Sequence, residues 1–426
     1  MDIGSMQHKE HQVVVIGGGV VGLTSAWWLM EAGFRVALVE RAPAVGNGAS
    51  YRNGGQLSYR YVSPLADAGV PWKALQWLFQ EAGPLRFKPE ADMRQWRWLA
   101  RFLANCNAAS NRRTTTKLLE LGEHSRRMMA QLEPAVPLAQ FGWRDAGKLV
   151  VYRSRAAFDA AVARPDPDNR RRVLSGADTA ALEPALAALA PRLAGGIFNA
   201  GEAVADCHAF CVALERQLQA HPRFDGVIHA NATCLFTENG RVSAVQTDTG
   251  WVTGEQFVLA AGIQSRGLAA TAGIALPLYP LKGYSLSAPI GDQHTAPEIS
   301  VTDFERKTLY ARIGKQLRVA AMVDMVGEDT SLDARRVAGL ARLVRETMPT
   351  AADYSRMEPW AGLRPATPNS APLLGPTRHG NLWLNVGHGP LGFTFACGTA
   401  ALLADLMTGR PTPFPLDFLA WPRENQ

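Results

Sequence analysis

The stretch HQVVVIGGGVVGLTSAWWLMEAGFRVALVE, residues His11 to Glu40, decides how the rest of the chain is read. An apolar β-branched run, Val13-Val14-Val15-Ile16, meets Gly17-Gly18-Gly19-Val20-Val21-Gly22, which contains the spacing G-x-G-x-x-G. A helix-like segment from Leu23 to Ala32 follows, Gly33 stops it, and a second apolar run ends on Glu40. The pattern predicts a strand, a tight turn, a helix and a strand tipped by an acid, the βαβ unit that binds a dinucleotide. Gly17 permits the turn, Gly19 lets a pyrophosphate approach the backbone, and Gly22 lets helix and strand pack closely. The helix start, at Val20 and Val21, offers N–H groups and partial positive charge to phosphates. Glu40, next to Arg41, is placed to accept hydrogen bonds from a ribose. The motif alone leaves NAD and FAD open. Val13 to Met30 is also uncharged and long enough to cross a bilayer, but its clustered glycines argue against one continuous spanning helix. No other segment is read as long and apolar enough to span.

The 426 residues suit two domains, each with a sizeable core. The net charge of +6 describes a mildly basic surface, suited to anionic substrates, acidic partners or an anionic membrane face. Its arginine clusters (Arg112-Arg113, Arg126-Arg127, Arg170 to Arg172) are short and scattered, which excludes a nucleic-acid partner. Five irregularly spaced cysteines fit a reducing cytoplasm better than a disulfide framework. Cys207-His208 with Cys211 lacks a second ligand pair, so no metal is expected and the group is read as packing on a helix face. Met1 to Ser5 reads as an expression remnant before a native start at Met6.

After Glu40 the stretch GNGASYRNGGQ, Gly46 to Gln56, is a loop whose main chain can approach a ligand, with Ser50 and Asn53 adding side-chain partners. Val70 to about Arg127 is helical and rich in Trp and Arg, and is read as covering the core rather than binding a ligand. Gly147 to Tyr152 reads as a strand, Asp206 to Ala220 as a helix, and Gly226 to Ala230 as a strand. Runs at 234–236, 241–248 and 251–253 suggest a β-meander turning at Asn239-Gly240 and Thr249-Gly250. Gln256 to Gly262 is a buried strand with a small-residue turn; Leu276 to Met325 alternates as antiparallel strands do; Asp333 to Met348 is an amphipathic helix. Finally the strand NLWLN (Asn381 to Asn385) runs into VGHGPLG and a helix from about Phe393 to Thr408. That unit repeats the opening logic, so the first and last segments are expected side by side with an antiparallel domain inserted between them.

Together these residues resemble the D-amino-acid dehydrogenases, within the larger family of FAD-dependent D-amino-acid oxidases, glycine oxidase and sarcosine oxidases. The resemblance runs nearly end to end, through GGGVVG, GVPWKALQWLF, YPLKGYSL, GLRP-x-TP and NLWLNVGHGPLGFTFACG. It implies an α/β plus α+β fold. A Rossmann-like domain binding FAD non-covalently would be formed by 11–60, 170–265 and 355–426, and an antiparallel-sheet substrate domain by 61–169 and 266–354. It also implies a flavin contact set: Gly17, Gly19, Val20, Val21, Gly22, Glu40, Arg41, Ser50, Asn53, Gly54, Gly55, Gln56, Ala261, Gly262, Gly389, Leu391, Gly392 and Thr394. The last helix would point at the flavin pyrimidine ring, where amides of Gly389, Leu391 and Gly392 stabilise charge on reduced flavin. His388 would shape that turn. Arg364, in Gly362-Leu363-Arg364-Pro365, matches the arginine that clamps the substrate carboxylate, a task suited to a planar guanidinium. Tyr284 and Tyr310 are candidates for the carboxylate or the pocket wall.

The implied reaction moves a hydride from Cα of a D-amino acid to the flavin, with no side-chain base required and electrons passing to a quinone or other acceptor. The segment SYRNGGQLSYRYVSP departs from SFANAGQISPGYASP of broad-specificity members and looks more like members found with hydroxyproline catabolism. It makes a D-hydroxyproline or D-proline dehydrogenase the alternative, with Arg52 and Tyr59 as suspected selectors. An oxygen-using oxidase, a nicotinamide dehydrogenase and a non-catalytic assembly subunit are the remaining readings. The expected setting is cytoplasmic, compatible with peripheral contact on the inner membrane face, and no oligomer is specified.

Overall fold

The computed structural model describes residues 11–78, 83–164 and 171–421. Met1 to Ser5 and Arg170 lie outside the described residues. The β-branched run of the opening motif forms the strand His11–Ile16 at the middle of a parallel sheet. Val36–Glu40 and then Phe224–His229 flank it on one side, Gly250–Leu259 and then Leu382–Val386 on the other. A strand buried on both faces needs a continuous apolar run rather than alternation, and Val13 to Val15 are fully buried. The strands Ala232–Glu238 and Arg241–Thr247 meander into Gly250–Leu259. Their turn sits at Asn239-Gly240, both with positive φ (50° and 74°), the combination a type I′ hairpin requires.

The helices Val20–Glu31 and Gly392–Thr408 pack together, and Ala108–Leu132 covers the second of them. Polar side chains lock the contacts: Thr24 Oγ1 donates to the Ala396 carbonyl, and Ser125 Oγ donates to the Thr394 carbonyl at 2.6 Å. The sequence reading missed one point here. Gly389–Thr408 is also long and apolar enough to cross a membrane by composition. In the fold, residues 393–404 are buried among neighbouring elements, because this is a core helix enclosed on several sides. Cys207 and Cys211 are likewise buried in the core, on the helix Cys207–Ala220.

A second, mostly antiparallel sheet runs in the order Glu358–Ala366, Tyr279–Pro289, Gln316–Met325, Thr308–Ile313, Ser300–Asp303, Lys148–Tyr152, Gly195–Asn199 and Arg171–Leu174. Helix Ala334–Thr347 packs on one face of it through Leu340 and Val344. This order corrects the expected partition. Residues 171–174, 195–199 and 358–366, assigned above to the dinucleotide side, hydrogen-bond into the second sheet. Gly195–Asn199 pairs with Lys148–Tyr152 and Glu358–Ala366 with Tyr279–Pro289, partners that leave no local trace in these segments, and Arg171–Leu174 joins the sheet through Gly195–Asn199.

One contact joins the first turn to its helix: a Cβ on Gly22 would lie 1.7 Å from the Gly17 carbonyl oxygen. Gly22→Ala is expected to lower stability by about 1–3 kcal/mol, the usual range for overpacking. Gly267→Ala, in a helix with open space around it, is expected to be neutral or slightly stabilising. Paired urea melts check both.

Candidate functional site

One cavity of about 1700 Å³ runs from the first βαβ turn across to the second sheet. Sites for a single drug-sized ligand are about 300–1,000 Å³, so this one has room for a dinucleotide and a small second molecule. At its first end Gly17 adopts φ +113°, and a Cβ there would sit 2.6 Å from the Ala260 carbonyl oxygen. Gly19, Val21, Ala261 and Gly262 line this end, with exposed Arg41 at the rim. The Glu40 carboxylate accepts from the Gly18 amide at 2.6 Å and the Ala42 amide at 2.8 Å, which fixes its orientation while leaving lone pairs for a sugar hydroxyl.

Three expectations change here. Ser50 Oγ accepts from the Val20 amide at 3.0 Å, so that helix-start donor is already satisfied from within the chain. Gly22 does not line the cavity; it packs behind Gly17. At the other glycine turn the Leu391 amide donates to the His388 carbonyl at 3.0 Å, which leaves Gly389 and Gly392 as the cavity-lining glycines heading the last helix.

The loop from Ser50 onward forms the cavity's middle wall. Asn53 Oδ1 accepts from the Gly55 amide, Gly55 takes φ +64°, and Gly54 lies against Leu309 and Ala320 of the second sheet. Gln56 bonds Ser300 Oγ and accepts from Lys148 Nζ at 2.6 Å. Ser58 donates its amide to Thr394 Oγ1 at 3.1 Å, so Thr394 braces the loop and is not part of the cavity lining. Glu202, which sequence reasoning missed, accepts from three consecutive amides, Tyr59 at 2.6 Å, Arg60 at 3.0 Å and Tyr61 at 3.1 Å. Burial pushes its carboxyl above the usual range, while Lys148 and these amides act to lower it. Tyr59 is fully buried in the core, away from the cavity lining, whereas Arg52 and Tyr61 do line it. The Arg52 guanidinium pairs with Glu358 at 2.5 Å.

At the far end Arg364 lies across Gly283 of the neighbouring strand: a Cβ on Gly283 would fall 2.2 Å from its Nη2. Its Nη1 donates to the Met322 carbonyl at 3.0 Å. Met322 has φ +68°, rare for a side chain of that size, at a register shift between the strands Tyr279–Pro289 and Gln316–Met325. Among the described residues Arg364 has no ion-pair partner, and burial pushes its pKa down to about 10 against the attraction of Asp324. A half-buried guanidinium on a cavity wall, with one backbone carbonyl as its hydrogen-bond partner among the described residues, has donors of the kind that suit an anion.

Tyr284 and Tyr310 do not bring their hydroxyls to this guanidinium. Tyr284, like Gly283 and Ser285, lines the cavity, but its ring packs with Leu340 and Val344 in one core together with Tyr310, which does not line the cavity. Burial raises both phenols. His388 lines the turn, but its Nε2 is 3.0 Å from Thr399 Oγ1 behind it, and burial pushes the ring down to about 3. The Trp- and Arg-rich helices also differ from expectation: Val70, Ala74, Trp77, Leu99 and Phe102 line the cavity rather than merely covering the core.

The His388 geometry has a pH consequence. The unfolded chain takes up a proton near pH 6.5 that the native ring refuses, so stability is full above about pH 6.5 and falls as pH drops toward about 3. In His388→Gln the stability lost between pH 7 and 5 is expected to shrink by up to about 2 kcal/mol relative to wild type, read from urea midpoints at both pH values.

Residues 12–406 match the family described as FAD dependent oxidoreductase. The chain is 48% identical over 403 residues to D-amino acid dehydrogenase 2 of Pseudomonas aeruginosa, covering 94% of this chain and 95% of that protein. It is 46% identical over 411 residues to D-amino acid dehydrogenase 2 of Ralstonia nicotianae, covering 94% and 97%. Among solved structures it is similar to L-proline dehydrogenase from P. horikoshii, with a TM-score of 0.74 at 15% identity and 97% of each chain covered. At that identity the likeness speaks for the fold alone.

Proposed function

The chain belongs to the FAD-dependent oxidoreductase family, and from that premise we propose that it dehydrogenates D-amino acids, with Arg364 receiving the substrate carboxylate. The observation that carries this reading is a half-buried guanidinium, without an ion-pair partner among the described residues, in a cavity continuous with the dinucleotide turn. FAD is the cofactor of this family, and when bound it supplies the hydride acceptor. Its contacts would come from the Gly17 turn, Glu40, the loop carrying Asn53 to Gln56, Ala261-Gly262 and the Gly389 and Gly392 turn. Arg364 offers two parallel N–H donors to the α-carboxylate, and the Met322 carbonyl holds the guanidinium in that pose. Fixing the carboxylate orients Cα, the main service a protein gives such a reaction. The hydride leaves Cα with its electron pair, the nitrogen gives up a proton to solvent, and the imine hydrolyses to a 2-oxo acid and ammonia. A cyclic substrate such as D-proline gives a cyclic imine instead.

Two measurements test this. Purified protein with a panel of D-amino acids, including D-proline and D-hydroxyproline, is expected to reduce an artificial dye faster than it releases peroxide; rapid peroxide release would make it an oxidase. Arg364→Gln is expected to lower kcat/KM by roughly 10²–10³-fold, the scale of a buried charge losing its partner, with Arg364→Lys recovering part of it.

The reading extends to the acceptor. Helix Met93–Asn105 presents exposed Met93, Trp96 and Leu103 in an apolar stripe beside exposed Arg97 and Arg101, and Trp98, Leu99, Phe102 and Leu103 itself line the cavity. Trp72, on the adjoining helix Val70–Leu78, is 76% exposed. An apolar stripe edged by arginines at a cavity mouth suits an anionic membrane surface and a lipophilic quinone. Met93→Ser with Trp96→Ser is therefore expected to weaken binding to anionic vesicles and to slow quinone reduction while dye reduction persists; unchanged vesicle binding would count against a membrane role.

A further inference from the structure

Lys148 opens the strand Lys148–Tyr152, and its side chain is fully buried although the apolar strand around it has no need of a cation. Its ammonium donates to Gln56 Oε1 at 2.6 Å and Ser58 Oγ at 3.0 Å, and lies 4.4 Å from the centre of the Tyr61 ring. Among the described residues no carboxylate lies within ion-pair distance of it. Glu202 attracts it, but spends its oxygens on the amides of Tyr59, Arg60 and Tyr61. Burial pushes the ammonium down to about 8. An ammonium held out of water without a counter-ion is costly, and a cavity wall is where such a cost has a use.

The surroundings indicate which negative charge it meets. Ser58, which holds the ammonium, is tied by its own amide to Thr394, the third residue of the last helix. Lys148 and Ser58 line the same cavity as Gly389, Gly392 and Phe393 at that helix start. The cation and the positive pole of the helix therefore share one corner. The substrate carboxylate is held elsewhere. Arg364 is anchored on the strand Gln316–Met325, and Thr308–Ile313 and Ser300–Asp303 separate that strand from Lys148. Three strand spacings amount to roughly 14 Å, beyond the span of one small amino acid.

We propose that Lys148 stabilises the negative charge that FAD gains on reduction, and so raises the potential at which the bound cofactor accepts a hydride. The proposal rests on the flavin contacts proposed above. In the balance, a hydride brings two electrons and one proton to the neutral ring system, which gains one negative charge; the substrate loses that hydride and becomes an iminium. The charge gained is what the ammonium and helix start meet together.

The test uses the FAD-loaded full chain and inorganic sulfite, a nucleophile whose addition to flavin also places negative charge on the ring. In Lys148→Met sulfite binding, followed by bleaching of the oxidised-flavin band, is expected to weaken at least tenfold. A tenfold change in the two-electron couple corresponds to a midpoint lowered by about 30 mV. Lys148→Arg is expected to recover most of both, and Ser58→Ala, which frees the ammonium from its corner, to shift both in the same direction by less. Flavin-loaded Lys148→Met with wild-type sulfite affinity and potential overturns the proposal. Should that variant fail to fold, wild-type values in Ser58→Ala overturn it equally. A wild-type chain that holds no flavin would instead sink the flavin-site reading itself.

Discussion

Holding an ion even partly out of water costs free energy after the protein relaxes around it, and half-buried Arg364 has one backbone carbonyl as its hydrogen-bond partner among the described residues. Three features of the second sheet exist to hold that charge. Gly283 has no side chain, which leaves the space the guanidinium fills. Met322 sits in the left-handed region, a conformation that costs of order 1–3 kcal/mol in a residue of its kind, and its carbonyl reaches Nη1. The register shift between their strands makes room for that distortion within an otherwise regular ladder. Strain and partial desolvation are thereby concentrated at one point in the cavity wall.

The scaffold supporting this point is divided between two sheets. The parallel sheet holds the Gly17 turn and, beside it, the strand leading to the Gly389 turn, so two helix starts reach the same cavity. The antiparallel sheet supplies the opposite wall, one face packed on helix Ala334–Thr347 and the other open to the cavity. A ligand lying along the seam meets main-chain donors on one side and fixed cations on the other. This arrangement puts the glycine turns and the cations of the cavity on separate structural elements.

Legibility in the sequence followed how local each constraint was. The first βαβ unit could be read because glycine spacing, β-branched runs and the terminal Glu40 are properties of neighbours in the chain. Arg364 could be named only through family resemblance, since nothing in GLRP distinguishes it from a surface arginine. Tyr310 was misplaced because the face a strand residue occupies depends on which side helix Ala334–Thr347 covers, a fact stored more than twenty residues further along the chain. Lys148 and Glu202 were passed over for the same reason: their partners, at Gln56 to Tyr61, lie about ninety and more residues earlier in the chain. The one local hint was a lysine at the head of the apolar run KLVVY, where a solvent-facing strand end was the simpler account.

The segment from Arg52 to Tyr61 is where the two sheets meet, and its backbone is fastened at nearly every step. The Arg52 carbonyl accepts from Ser285 Oγ, the Asn53 carbonyl from Arg318, and the Ser58 amide bonds Thr394. Gln56-Leu57 pairs with Ala203-Val204, and Glu202 gathers the next three amides. Fastening through main-chain groups leaves side chains free to vary without moving the loop. Those that face the cavity, Arg52 and Tyr61, can then change the shape and charge offered to a substrate side chain, whereas Tyr59 is committed to the core. The seam can therefore vary its cavity-facing side chains without moving Arg364 or the Gly17 turn.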